Sequence, residues 1–230
     1  VPNLLQTGAG SPTGILIYEG DALPARYLNQ LIHCDAGPNV VRSYAVAQAG
    51  AGYTAEINNI VNGARDQWFR PSDVCVAPDG SLIVADWYDP GVGGHRQGDV
   101  EKGRLFRVSM PGRKYTVPKA DLTTVAGAVE ALKSPNTATR YLAFMKLKAA
   151  GPEAQAALQQ LYSDSNPRFR ARAMWLLGQI AGLGPQTVEN AVTDSQPDIR
   201  VAGLRLARRL GMDIVPVVYK LADDASPAVQ

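Results

Sequence analysis

The spacing of apolar residues changes near residue 118, and this change limits the chain to folds that join two kinds of secondary structure. Up to about Val117, short runs typical of β-strands, such as Gln30–Cys34 and Asn39–Val46, alternate with turn residues. From about Lys119, apolar residues return every three or four positions. The first pattern is typical of antiparallel strands and the second of amphipathic helices. We therefore expect an antiparallel all-β domain over residues 1–117 and an all-α domain over residues 118–230.

The β half repeats itself. Leu31–Asp35 followed by Val40–Val46 resembles Leu82–Asp86 followed by Arg104–Ser109. Each repeat occupies about 50 residues, which is room for four strands and the size of one propeller blade. Two blades do not close a ring. We therefore expect the remaining propeller blades to come from a longer parent chain or from another polypeptide.

The helical half has a second repeat, of 30 residues. Arginine recurs at Arg140, Arg170 and Arg200, and a small residue follows each arginine three positions later, at Ala143, Ala173 and Gly203. Prolines ahead of the arginines, as in Ser134-Pro135 and Asn166-Pro167, predict helix starts. Units of two antiparallel helices with a small residue at the close contact indicate a HEAT-like solenoid. Because a fourth copy begins near Ser226-Pro227, we expect the solenoid to be truncated at the C-terminus.

The charges are nearly balanced, with 23 Lys and Arg against 21 Asp and Glu and a net charge of +2. No basic block indicates a nucleic-acid partner, and no apolar run approaches the roughly 18 residues that predict a membrane-spanning segment. A secretory signal is absent from the first residues. The two cysteines, Cys34 and Cys75, have no metal-ligand spacing, so they are either two buried thiols or one bridge.

Three stretches of the β half, together with the helical repeats after them, carry a family resemblance. They are Gln30–Arg42, Arg65–Asp73 and Val76–Pro90. The chain resembles the membrane-bound dehydrogenases of Planctomycetes and Verrucomicrobia. In that family a six-bladed propeller, similar to those of quinoprotein glucose and sorbosone dehydrogenases, precedes HEAT repeats and often a C-terminal c-type haem domain. The resemblance implies that residues 1–117 are the last two blades.

The resemblance also implies an exported protein of the periplasm or cell envelope. Such a protein oxidises a sugar or alcohol substrate with pyrroloquinoline quinone (PQQ) and calcium, and passes electrons to an electron-accepting cytochrome domain. This chain has no Cys-x-x-Cys-His, so the c-type haem would belong to the parent protein. The early blades, where related quinoproteins place the catalytic base, are also missing. As a fragment, the chain is therefore expected to be inactive alone.

The loop after Leu82–Asp86 holds the candidates for ion binding and catalysis. Asp86 and Asp89 are oxygen donors of the type that calcium prefers, and backbone carbonyls could complete the shell. Alternatively, Asp86 is a turn residue that accepts hydrogen bonds from the loop's own N–H groups, as Asp35 would in the preceding repeat. His95 follows three glycines and is the catalytic candidate, with a surface role as the alternative.

The cofactor-binding candidates are Arg70, Asp73, Trp87 and Tyr88. Arg70 and Asp73 could hold a quinone carboxylate or a sugar hydroxyl, or could form a salt bridge that locks neighbouring blades. The aromatic residues Trp87 and Tyr88, with Trp68 and Phe69, could stack on a sugar ring or pack in the core. The arginines of the helical repeat could bind an anion, but equal spacing favours bonds to neighbouring loops.

These observations leave two hypotheses for function. In the first, the chain is part of an exported quinoprotein-like dehydrogenase. In the second, it is a non-catalytic propeller and solenoid scaffold that binds a glycan or a protein partner in the cell envelope.

Overall fold

A computed structural model of the protein describes residues 4–7, 10–91 and 101–230. The chain forms two compact units, whose main boundary lies between Pro118 and Lys119. The first unit is built from antiparallel strands and the second from helices. The expected order, an antiparallel β region followed by a helical region, is therefore confirmed. Within the described ranges, no helix is both long enough and apolar enough to cross a bilayer.

The first sheet has four strands in sequential order. They are β1 (Pro12–Ile17), β2 (Leu31–Asp35), β3 (Val40–Ala49) and β4 (Gly52–Asn62). β2 pairs antiparallel with both β1 and β3, with Asp35 opposite Pro12 and Val40. Asn39 enters β3 with a φ of 58°, and its side chain donates to the carbonyls of Gln67 and Phe69 at 3.0 and 2.6 Å. This asparagine therefore ties the first sheet to the segment that leads into the second.

The second sheet has three described strands, β5 (Pro71–Val76), β6 (Leu82–Asp86) and β7 (Arg104–Val108). β5 and β6 are joined by the predicted Asp79-Gly80 turn, in which Gly80 has a φ of 83° that glycine adopts without strain. Burial alone would raise the pKa of Asp79, but hydrogen bonds from Ser81 and Arg107 outweigh it and lower the pKa to about 2. The carboxylate of Asp79 is therefore ionised at neutral pH, and its hydrogen bonds hold the turn.

The two sheets share one hydrophobic core. Each sheet contributes one face, and the chain between β1 and β2 adds Tyr18, Leu23 and Tyr27. The Tyr18 hydroxyl accepts from the N–H groups of Ala22 and Leu23 and donates to the carbonyl of Gly80 at 2.7 Å. This buried hydroxyl is therefore satisfied while its ring fills the space between the sheets.

The helical unit contains seven α-helices among the described residues. They are α1 (Val125–Leu132), α2 (Thr137–Ala150), α3 (Gln155–Tyr162), α4 (Pro167–Leu177), α5 (Gly184–Val192), α6 (Pro197–Arg209) and α7 (Val215–Leu221). α3 packs on α4 and α5 packs on α6, so these helices contact each other in consecutive pairs. The Asn166 side chain accepts from the N–H of Arg168, so the predicted cap of α4 is confirmed. α2 begins at Thr137, two residues later than the proline pattern predicts.

Candidate functional site

The end of β6 is organised by the carboxylate of Asp86, which is buried. Oδ1 accepts from the backbone N–H groups of Arg70 at 2.8 Å and Tyr88 at 2.9 Å. Oδ2 lies 2.6 Å from Nη2 of Arg104, the residue directly opposite on β7. Both oxygens are therefore engaged by donors that hold the strand ends and the following loop together.

Asp35 occupies the equivalent place in the first sheet. Pro12 and Pro71 are the partners of Asp35 and Asp86 on the neighbouring strands. Asp35 accepts from the N–H of Ser11 at 2.8 Å, as Asp86 accepts from Arg70, and forms a longer ion pair of 3.7 Å with Arg42. The prediction that the acid recurs at one place in both repeats is thus confirmed. Because Asp35 and Asp86 both accept hydrogen bonds from backbone N–H groups, the structure favours the interpretation that Asp86 is a turn residue.

The guanidinium of Arg70 bridges two loops of the β unit. Nε donates to the carbonyl of Asp89 at 3.0 Å and Nη2 to that of Pro90 at 3.3 Å. Nη1 donates to the carbonyls of Ala36 and Gly37 at 2.9 and 3.2 Å, in the turn between β2 and β3. The residue thus connects neighbouring repeats, but through backbone carbonyls rather than the salt bridge considered from the sequence. All three guanidinium nitrogens already have partners in the fold.

Asp73 lies apart from this bridge. Its Oδ1 accepts from the N–H of Val74 at 2.8 Å, and its carboxylate lies against Gly14 of the neighbouring sheet. A Cβ on Gly14 would stand 2.1 Å from that oxygen, so this glycine is required by the close approach of β1 and β5. The structure therefore does not bring Arg70 and Asp73 together as one ligand-binding pair.

The segment before β5 and the loop after β6 together present aromatic side chains at the surface. Trp68 and Trp87 are 40% and 58% exposed, and the rings of Trp68 and Tyr88 lie 5.4 Å apart. Tyr88 has a φ of 57°, an uncommon conformation for a bulky residue. Its N–H is held by Asp86 and its ring lies 4.1 Å from the guanidinium of Arg104. We call Trp68, Trp87 and Tyr88 the aromatic surface. Phe69, by contrast, is buried in the shared core.

The calcium ligands expected from the sequence, Asp86 and Asp89, lie in an electrostatic setting that favours anions. Arg104 pairs with the carboxylate of Asp86, and Arg70 donates to the carbonyl oxygens of Asp89 and Pro90. Oδ1 of Asp89 accepts from the N–H of Gly91 at 2.7 Å. A cation here would share its ligands with two guanidinium groups, so these residues do not fit calcium. Within the described residues, no group of three or more His, Cys, Asp and Glu side chains could hold a metal ion.

The remaining candidates are a histidine and two cysteines. His95 lies outside the described residues. Cys34 and Cys75 are free thiols, and burial raises the pKa of Cys34 to about 12. Cys75 is exposed, which corrects the expectation that both thiols are buried. At neutral pH Cys34 is therefore a protonated core residue without nucleophilic character.

Arg104 is the residue of this region that sequence reasoning missed. It contacts Asp86, Asp66 and the ring of Tyr88 at once. The only signal in the sequence was its place at the start of a strand whose register puts it opposite the terminal acid of the preceding strand. That register depends on the length of the loop between the strands, so the pair became evident only in the folded chain.

The arginines of the helical repeat bond to neighbouring loops. Arg170 forms an ion pair with Asp194, and Arg200 forms a bidentate pair with Asp224, with both distances 2.6 Å. Arg140 and Arg200 also donate to the carbonyls of Ser134 and Asp194. The expectation that these arginines bond to neighbouring loops is therefore confirmed.

Comparison with known proteins gives one family match. The model of a family described as a domain of unknown function (DUF7133) matches residues 5–115, which span both sheets of the β unit. No curated protein and no solved structure matches the chain.

Proposed function

We propose that the chain is a non-catalytic binding scaffold of the cell envelope. In this proposal the β unit supplies two consecutive propeller blades, the helical unit is a HEAT-like solenoid, and the aromatic surface binds the sugar rings of a glycan. The observation that carries the proposal is a contrast within two hydrogen-bonded segments, the one that precedes β5 and the loop that follows β6. Their charged groups Arg70 and Asp86 are engaged in the fold, whereas Trp68 and Trp87 are exposed to solvent.

The chemistry of the aromatic surface suits a ligand with both apolar and polar faces. Tryptophan and tyrosine rings offer large rigid areas at small cost in side-chain entropy, and their polar edges tolerate water. A pyranose ring presents C–H groups on its faces and hydroxyls around its edge. The carboxylate of Asp66, which is half-exposed beside Arg104, could accept a bond from such a hydroxyl.

The rigidity of this surface supports binding further. Tyr88 is held at its N–H by Asp86 and across its ring by Arg104. Because the ring is already ordered, a ligand that stacks beside it does not have to immobilise it. An uncommon backbone conformation that the surrounding contacts maintain is also typical of functional positions.

The experiment is a titration of the whole chain with a panel of oligosaccharides, followed by tryptophan fluorescence and calorimetry. We expect Trp68→Ala and Trp87→Ala each to weaken binding at least about tenfold, or about 1.4 kcal/mol. The control Tyr219→Ala removes an exposed aromatic from α7 and should leave binding unchanged.

Dehydrogenase activity of the same preparation would be unexpected under both hypotheses, because the fragment that the family resemblance implies is itself expected to be inactive alone. With added PQQ and calcium, reduction of an artificial electron acceptor over a panel of sugars and alcohols would contradict the scaffold proposal. Absence of binding across the oligosaccharide panel would contradict the glycan-binding part of it.

A further inference from the structure

Two positive charges flank rings of the aromatic surface. Nζ of Lys102 lies 6.0 Å from the centre of the Trp68 ring, and the guanidinium of Arg104 lies 4.1 Å from the centre of the Tyr88 ring. The rings of Trp68 and Tyr88 lie 5.4 Å apart. Arg104 begins β7 and Lys102 precedes it by two residues, so one short segment supplies both cations.

The carboxylates beside these rings already accept hydrogen bonds from the fold. Asp86 accepts from two backbone N–H groups and from Arg104. Asp66 accepts from the N–H of Trp68 at 3.2 Å and from Nη2 of Arg104 at 3.0 Å. Oδ1 of Asp89 accepts from a backbone N–H at 2.7 Å. These bonds partly neutralise the negative charge of the region within the protein itself.

The donors that remain for a ligand are cationic. Nε and Nη2 of Arg104 donate to Asp86 and Asp66, but no residue in the described part of the chain accepts a hydrogen bond from its Nη1. The Arg104 side chain is 35% exposed. Lys102 is exposed, and its ammonium group carries three N–H donors. A ligand on this side of the aromatic surface therefore meets donors that are positively charged.

A carboxylate is the acceptor that suits such donors best. Hydrogen bonds between a cationic donor and a carboxylate are roughly twice as strong as those between neutral groups. The sugar ring of a uronic acid has apolar C–H groups on its faces and a carboxylate that extends from its edge. A uronic acid stacked on Trp68 consequently presents its carboxylate beside the ring, on the side where Lys102 lies.

We propose that the aromatic surface selects acidic glycans, whose uronic-acid carboxylates bind Lys102 and Arg104 while a sugar ring stacks on Trp68. This inference rests on the proposed glycan binding and adds the class of glycan. Trp68 contributes affinity for any sugar ring, whereas the two cations distinguish an acidic ring from a neutral one. Because Lys102 is exposed, the preference for acidic sugars declines as salt screens its charge.

The test compares two forms of one ligand, an oligogalacturonate and its methyl ester, in calorimetric titrations of the whole chain. The ester keeps the sugar rings and removes their charge. At low ionic strength we expect the acidic form to bind at least about tenfold more tightly, and Lys102→Gln to reduce this preference to less than about threefold. Trp68→Ala should weaken the binding of both forms by a similar factor.

Two control variants separate the charge of Lys102 from other effects. Lys102→Arg keeps the charge and should keep the preference for the acidic form. Lys114→Gln removes the same charge beside Arg113, which donates to the carbonyl of Asp79 at 3.0 Å in the turn at the opposite end of β6. It should leave both affinities unchanged. Circular dichroism establishes that each variant is folded, and Lys102→Ala provides a second variant if Lys102→Gln is not.

The outcomes distinguish this inference from the glycan binding on which it rests. Equal binding of the two forms, or binding confined to neutral sugars, would overturn the acidic class and leave glycan binding intact. A preference that Lys102→Gln preserves in full would overturn the role of Lys102. Absence of binding for both forms and for the wider oligosaccharide panel would contradict glycan binding itself, and the acidic class with it.

Discussion

Asp86 shows how one residue can look like an ion ligand in the sequence and act as a structural anchor in the fold. Its two oxygens accept from two backbone N–H groups and one guanidinium. The residue opposite Asp86 is Arg104, whereas the residue opposite Asp35 is Val40. Asp35 consequently reaches only the more distant Arg42, at 3.7 Å. The equivalent acids should therefore differ in how much they stabilise their sheets.

We expect Asp86→Asn to lower the free energy of unfolding by about 2–3 kcal/mol, and Asp35→Asn by about 1–2 kcal/mol. Asparagine keeps an acceptor for the N–H groups but removes the charge that Arg104 faces. Urea unfolding of both variants measures the difference, with Asp223→Asn, which is exposed, as the control. A larger loss for Asp35→Asn would contradict the assignment of Arg104 as the principal partner.

At the scale of elements, the helical pairs depend on small residues at their crossings. Gly203 of α6 is buried against α5, and a Cβ on it would lie 2.7 Å from Cβ of Ala191 and 3.1 Å from Cγ1 of Val192. The equivalent positions Ala143 and Ala173 are also fully buried. The prediction of small residues at close contacts is thus confirmed, and the tightest contact belongs to the glycine.

We expect Gly203→Val to lower the free energy of unfolding by about 1–3 kcal/mol, because its methyl groups force α5 and α6 apart. The loss occurs although valine is a better helix former than glycine. Arg205→Val, on the exposed side of the same helix, should change stability by less than about 0.5 kcal/mol. Thermal and urea unfolding give both values, and equal effects at the two positions would contradict the close contact.

At the scale of the whole molecule, the hydrophobic cores follow the division of the chain. One core joins the two sheets, and its residues lie between Leu16 and Val108. Two others lie among the helices, and their residues lie between Leu122 and Val229. A unit that contains its own core can fold without the other.

We therefore expect residues 119–230, expressed alone, to keep a helical circular dichroism spectrum and to unfold cooperatively. Leu158→Ala, which removes a fully buried side chain of α3, should cost about 2–5 kcal/mol both in this segment and in the whole chain. A segment that is unfolded in buffer, or a cost confined to the whole chain, would contradict independent folding.

Local features of this protein follow from short stretches of sequence. The Asp79-Gly80 turn, the capped start of α4 at Asn166 and the change of period near residue 118 each depend on neighbouring residues alone. Such features could be predicted because backbone preference and apolar spacing act over a few residues. The recurrence of Asp35 and Asp86 could be predicted for the same reason, because each acid is the last residue of a five-residue strand that begins with Leu-Ile.

The roles of the candidate residues were decided by tertiary structure. Arg70 meets Ala36 and Gly37, more than 30 residues away in the chain, and Asp86 meets Arg104 only because the strands pair in one register. These contacts engage the charged groups that the sequence suggested as ligand-binding residues. The aromatic rings beside them stay exposed at the surface. The sequence alone determined the strands, the helices and their repeats. Packing decided which polar groups are anchors and which aromatic rings remain exposed, because burial and partners depend on residues far apart in the chain.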